Sequence, residues 1–432
     1  MSVMQVGKWA RGVALPPDWW VPKDGRTLDL DVLNWRMWDA ENGARAPNAL
    51  AISRPSARSR VGPGGLIETV GSGLIARDFT VAGAARGLQI EPQTTNLATY
   101  SEDASNAIWS KIATTISANA AVAPDGATAA DKIVEDTSTA THYLGRSIAC
   151  TSGVTYSFST HLKAAGRNFA LMAVTSAFTL AAIKIDLVNR TVSTANGSPL
   201  RAFVEDAGNG WVRAGFSAVA ASTSNGTFNV YPSIDGLWDN RSYLGDGSSG
   251  LYWWGEQIEA SAVATSYMPA AASGAVRYAD GVSLPFGSWG TQGQGGLYVD
   301  CGDLIGTGAN NVMVQIDDEI ISDRIVIRRA AAGNIEAIVQ VGGVAQAVLN
   351  LGAHTSGNAV KAAIAWGAGD FAGQMSGGTL KTATPASIPA ALTRLHLGGP
   401  IISGAMCGHL REVAAYPTRA IATNALIGSL VA

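Results

Sequence analysis

The chain has 432 residues, too many for one ordinary core and enough for two to four domains. Only 15% of them are charged and 50 are glycine, while the formal net charge is −3, so there is no electrostatic footprint for nucleic acid. No apolar run approaches the ~18 residues of a membrane span, which argues against membrane insertion. Low charge with abundant Gly, Ala, Ser and Thr suits short strands, tight turns and protein-covered surfaces, and an obligate oligomer is the expectation. Cys150, Cys301 and Cys407 are unclustered and read as small buried thiols rather than a disulfide framework or a zinc site. The first residues lack the tripartite layout of a signal peptide, so assembly in a cytoplasm is expected.

Residues 1–50 hold Trp9, Trp19, Trp20, Trp35 and Trp38, interrupted by Pro16, Pro17 and Pro22, with little periodicity. So much indole neither buries itself nor rests comfortably in water. The segment is expected to lie against something else, as an attachment or oligomerisation arm or as an arm packed on its own chain. Residues 51–95 read as a small β unit, with a glycine turn at 62–65 before the strand-like Leu66-Ile-Glu-Thr-Val70.

From 96 to 272 the signals are those of an all-β sandwich. Tyr156, Phe158 and Leu162 alternate on one face, Ile183-Lys-Ile-Asp-Leu-Val188 repeats the pattern, and Asn196-Gly197 is a hairpin-grade turn. Further turn signals stand at Asp125-Gly126, Asn225-Gly226, Asp235-Gly236 and Asp246-Gly247. Along 251–259, strict alternation puts Tyr252, Trp254 and Ile258 on one face and Trp253, Gln257 and Glu259 on the other. A second set of strands fills 273–432, at 296–300, 311–316, 324–328, 334–341, 344–349, 360–366, 371–375, 395–399 and 408–416, with a short helix over 423–430.

Two stretches carry a resemblance. Gly87-Leu-Gln-Ile-Glu-Pro-Gln-Thr-Thr-Asn-Leu97 with Tyr100-Ser-Glu-Asp-Ala-Ser-Asn-Ala-Ile-Trp109 resembles the opening of a carbohydrate-binding-module-like jelly roll common in tailed-bacteriophage virion proteins. Leu251-Tyr-Trp-Trp-Gly-Glu-Gln-Ile-Glu259 with Thr265-Ser-Tyr-Met-Pro269 resembles its close, and Asn209-Gly-Trp-Val-Arg213 one of its strands. The order of strands, glycines and terminal helix in 273–432 resembles a concanavalin A-like lectin/glucanase sandwich.

The resemblance implies tandem β-sandwiches, a jelly roll plus a concanavalin A-like domain, after the Trp/Pro-rich segment. It also implies a fibre, spike or baseplate protein of a virion, assembled in the host cytoplasm as a homotrimer. Such a protein would join other virion proteins through residues 1–50 and adsorb to a host-surface receptor, a saccharide above all. The alternative is a purely structural virion part, a head decoration or baseplate connector. Jelly rolls of this kind often hold a structural calcium near their first and last strands, where Asn96 and Glu259 stand here. The sequence itself assembles no metal site.

Enzymes of the concanavalin-like class carry Glu-x-Asp-x-x-Glu on one strand, and 273–432 has no such run. The nearest acids, Asp317, Asp318, Glu319 and Asp323, read as solvated turn carboxylates. HExxH, GxSxG and P-loop patterns are missing and the five histidines are scattered, so neither catalytic residues nor a capsule depolymerase is expected. Sugar binding needs an exposed aromatic plane and a few fixed polar groups. Trp238, Arg241 and Tyr243 in the loop 235–247, and Trp253 on the face opposite Trp254, are the candidates.

Overall fold

The computed structural model describes residues 24–432 except Glu41, Ala46, Asn48, residues 400–403 and Ile421. Trp9, Trp19 and Trp20 lie outside the described residues. The architecture is all-β, as expected, and is built of two sandwiches. In the first, sheet I runs Ser110–Ile112, Tyr143–Cys150, Ser224–Ser233, Phe169–Ser176, Ala181–Asp186, Thr191–Gly197. Sheet II runs Thr114–Val122, Thr128–Glu135, Gly250–Glu259, Thr155–Ala165, Val212–Val219, Leu200–Asp206. Alternation produces the core between them: Phe158 of sheet II meets Phe228 of sheet I edge-on at 5.5 Å, with Phe216 at 6.0 Å. Each such side chain contributes about 1.5–3 kcal/mol on burial.

The second sandwich uses every strand expected in 273–432, but not those alone. Its seven-stranded sheet III ends with Gly281–Pro285 paired to Ala51–Ser53. In its ten-stranded sheet IV, Leu28–Asp31 pairs with Gly408–Tyr416, and Ala85–Ile90 pairs with that same last strand. Leu28, Leu30, Met37, Leu88 and Ile90 are all buried in the second sandwich's core. The expected boundaries at residues 50 and 95 are therefore crossed by the sheet pairing. The described part of the N-terminal segment is woven into its own chain, and Trp35 and Trp38 sit on short strands and turns of that sheet rather than on a free arm. The terminal helix Asn424–Val431 is capped by the Thr423 side chain and lays Ile427 and Val431 on the outer face of sheet IV beside Tyr298 and Tyr416. All three cysteines are buried and free, as expected.

The first sandwich is thus a guest inserted in the second. Its outgoing and returning connections run side by side, Thr94–Asn96 pairing with Ala275–Arg277. A buried ionic cluster locks this junction. Arg58 and Arg277 both reach Glu91, while Arg54 and Arg58 both reach Asp280. Burial alone would raise the Glu91 pKa, but Arg277 and Arg58, helped by Ser266, bring it down to about 2.

Next to the cluster, the two motifs far apart in sequence close on each other. The Asn96 side chain donates to the carbonyls of Glu256 and Met268 and accepts from the amides of Ala98 and Ile258. Ser101 Oγ lies 2.8 Å from Tyr267 Oη, and Trp109 meets Trp253 edge-on at 5.1 Å.

Candidate functional site

The loop 235–247 is shaped by local hydrogen bonds. Asp235 accepts from the Leu237 amide at 2.8 Å and from Asn240 Nδ2 at 2.6 Å, shaping the single 3-10 turn Trp238–Asn240. The following strand Ser242–Leu244 pairs with Thr139–Thr141. Trp238 is half-buried, with the Arg241 guanidinium 3.7 Å from its ring centre and Tyr231 edge-on at 6.0 Å. Leu237, next to it in sequence, and Leu244 on the following strand are 55% and 69% exposed.

Two of the four expected contact residues are brought together here, and two are not available to a ligand. Tyr243 is buried: its hydroxyl donates to Glu135 at 2.8 Å and its ring stacks near His142. Burial and then Glu135 raise its pKa, so Tyr243 braces the loop as a neutral phenol. Trp253 is fully buried against Trp109 in the intersheet core and offers no plane to a sugar. The strict alternation expected along 251–259 fails because a β-bulge at Gly255 (φ +68°) shifts the register between Ser159 and His161. Trp253 and Ile258 consequently share the core side, while Trp254 packs on the opposite face with Trp211 and Tyr267.

The outer face of sheet I adds residues the sequence reading missed. Tyr231 is paired in register with Leu171, which is paired with Lys184 on the next strand. Tyr143 stands 5.3 Å from Tyr231, whose hydroxyl accepts from Asn229 Nδ2 at 3.1 Å. Lys184 reaches over the Phe169 ring and donates to the Asp235 carbonyl at 3.1 Å, tying the face to the loop. Asn229 Oδ1 has no hydrogen-bond partner and lies over Gly145, where any side chain would collide with it. The signal was present: Asn229 and Tyr231 alternate with the core residues Phe228 and Val230. The arrangement offers a half-exposed indole, flanking leucines and cationic donors, which suits stacking and hydrogen bonding to a hydroxylated ligand.

Among the described residues no group of three or more His, Cys, Asp or Glu side chains could hold a metal ion. The oxygens of Asn96 and Glu259, the residues at the expected calcium position, are engaged by protein donors, those of Glu259 by Gln257 and Thr265. The acidic turn also differs from expectation in one member: Asp317 is fully buried, accepting from Gln315 at 2.6 Å with His396 3.3 Å away.

No family model matches the chain, and no curated protein matches it. Among solved structures it is similar to the CBM40 of Ruminococcus gnavus IT-sialidase bound to α2,6-sialyllactose (11% identity, 33% of this chain, 85% of that one, TM-score 0.28). It is also similar to domains LG4-5 of the mouse laminin α1 chain (11% identity, 66% of this chain, 92% of that one, TM-score 0.23). A third is the CBM22-1–CBM22-2 tandem of Paenibacillus barcinonensis Xyn10C (8% identity, 77% of this chain, 98% of that one, TM-score 0.24).

Proposed function

We propose that the chain is a non-catalytic saccharide-binding protein displayed on a bacteriophage-like particle, where it adsorbs the particle to a host surface. The observation that carries the binding role is the half-exposed Trp238 with Arg241 and Leu237, set on the outer face of sheet I beside Tyr143, Tyr231 and Lys184. An indole offers its apolar plane to the C–H face of a sugar, and the flanking Arg241, Asn240 and Lys184 supply directed donors. The particle assignment rests on the motifs at 87–109 and 251–269. Copies held together as a homotrimer would gain roughly 10²–10⁴ in avidity over one weak site. Attachment to other virion proteins falls in this reading to residues 1–23, since 28–45 already serve sheet IV.

A structural role without ligand draws on a different observation. The long edge strands Thr114–Val122, Thr191–Gly197 and Val344–Ala353 carry no charged side chain, a composition suited to packing against neighbours.

Glycan-array and intact-cell binding with the wild type and Trp238→Ala separates the two. Saturable binding that Trp238→Ala abolishes is the expected result. No binding by the wild type to any glycan or to host cells overturns the adhesin reading.

A further inference from the structure

The loop that carries Trp238 returns to the body through Ser242–Leu244, whose sheet partner is the equally short strand Thr139–Thr141. A two-stranded ribbon of that length does not stand by itself and needs fastening. Tyr243 supplies one tie, its hydroxyl donating to Glu135 at 2.8 Å. The other is His142, which follows the partner strand directly and is 0% exposed.

Both ring nitrogens of His142 face backbone carbonyls. Nδ1 lies 2.7 Å from the Ala113 oxygen and Nε2 lies 3.2 Å from the Tyr243 oxygen. A carbonyl oxygen only accepts, so each contact is a hydrogen bond only when that nitrogen carries a proton. A neutral imidazole has a single N–H and sets its other lone pair against those of a carbonyl. Only the imidazolium makes both bonds. Through them one ring joins the return strand of the loop to Ala113. That residue stands between Ser110–Ile112 and Thr114–Val122, the edge strands of sheets I and II.

The surroundings suit a cation that comes and goes. Asp136 Oδ1 is 3.7 Å from Nδ1, and the Tyr243 ring centre is 4.7 Å from that of His142. Glu135 is already engaged by Arg167, by the Tyr243 hydroxyl and by the Asp246 amide. Arg167, which also lies over the Tyr243 ring, is held by Glu135 and faces Asp246 at 3.5 Å. Gly245 closes over the ring, for a side-chain carbon there would stand 3.1 Å from His142 Cε1.

We propose that His142 is a positioning residue for the ligand loop, a latch worked by one proton. Doubly protonated, it holds 235–247 against the body. When Nε2 gives its proton to solvent, Nδ1 keeps the shorter bond and the tie to Tyr243 is lost. Histidine is the side chain that changes charge between about pH 5 and 8, so the loop is held in mild acid and released in mild base. The consequence for ligand rests on the saccharide-binding reading: a released loop no longer fixes Trp238 and Arg241, and affinity falls.

The test follows the full chain, ¹⁵N-labelled, from about pH 5 to about pH 9. Histidine ring spectra report which His142 nitrogens carry protons, and hydrogen exchange, corrected for the intrinsic rate, reports protection of the 235–247 amides. The expected result is a ring protonated at both nitrogens in acid. Loop protection then falls about tenfold as the Nε2 proton leaves, the scale of one charge-assisted hydrogen bond, while sheet-core amides are unmoved. His142→Gln, which does not titrate, should make loop protection independent of pH. A ring with one proton throughout, a ring with two throughout, or a titration that leaves the loop unmoved each overturns the proposal. If His142→Gln does not fold, the wild-type titration decides. A glycan array read at both ends of the range separates the latch from the reading it rests on. Loop release with no glycan bound at either pH overturns the saccharide reading and leaves the latch standing. Binding that ignores pH, on a loop that ignores it too, overturns the latch alone.

Discussion

The junction and the outer face of sheet I both depend on arginine, yet they are built to opposite ends. At the junction Arg54, Arg58 and Arg277 are at most 3% exposed and matched to Glu91 and Asp280 by direct ion pairs. On the outer face Arg241 and Trp238 remain partly open, and the leucines around them are more exposed still. Buried charge matched by carboxylates holds two bodies in register; half-open groups are what a ligand can use. A cation's role is read from its exposure and its carboxylate partners, not from its type.

The sharpest way to break the comparison is Arg277→Met. It leaves Glu91 buried beside one arginine instead of two, and removal of one partner from a buried ionic group costs about 3–5 kcal/mol. Urea unfolding should show that loss and a separate transition for the guest. A single unshifted transition would mean that the cluster does not couple the two sandwiches.

The next effect concerns Glu256, fully buried with an unpartnered Oε1 near Arg146. Burial, only partly opposed by Arg146, raises its pKa to about 8 from the ordinary glutamate value of 4.5. The folded state therefore binds a proton that the unfolded state lacks between pH 4.5 and 8, and stability falls as pH rises across that window. Glu256→Gln should remove this slope and raise stability at pH 8 by on the order of a few kcal/mol. Thermal melts of both proteins at pH 5 and 8 check it.

A smaller effect of the same sign comes from His409. Its ring bridges Asp303 at 2.7 Å and Asp78 at 2.9 Å; burial opposes its charge, but the two carboxylates prevail and raise its pKa. That contribution is complete below the unfolded pKa of ~6.5 and is lost as pH rises through the raised folded value. His409→Gln should therefore cost more stability at pH 6 than at pH 9, with equal costs counting against the charged bridge.

The smallest stability change is expected at the outer face, where Trp238→Ala removes a half-exposed ring and should cost about 1 kcal/mol or less. Binding should suffer far more than folding. If denaturant midpoints fall as far as for Arg277→Met, Trp238 belongs with the junction and the comparison fails.

Much of the fold was legible because its fastening residues lie in two contiguous motifs. Asn96, Ser101 and Trp109 find their partners around 253–270, as the opening and closing pieces promised. Other parts were hidden for physical reasons. Leu28–Asp31 is four residues long, and its partner strand Gly408–Tyr416 lies at the other end of the chain, so no local pattern announces the pairing. The faces of Trp253 and Trp254 were exchanged because parity reverses at a bulge; the glycine behind two tryptophans was the available warning. Of the site, the loop around Trp238 was visible as aromatic residues among turn formers. Tyr143, Asn229 and Tyr231 stand in the sequence only as the off-core members of alternating strands, a pattern they share with ordinary outward-facing residues.

The nesting of guest in host also sets a timetable for biosynthesis. Thr27 bonds to the Ala415 carbonyl across 388 residues, so at ~5–20 residues per second the first strands wait roughly 20–80 s for their partner to leave the ribosome. The guest, whose strands all fall between those two, is complete well before then. By bringing residues 94–96 beside 275–277 it takes about 180 residues out of that closure and roughly halves the chain to be spanned. The inserted sandwich thus acts as a folding scaffold for the one that contains it, whatever either later binds.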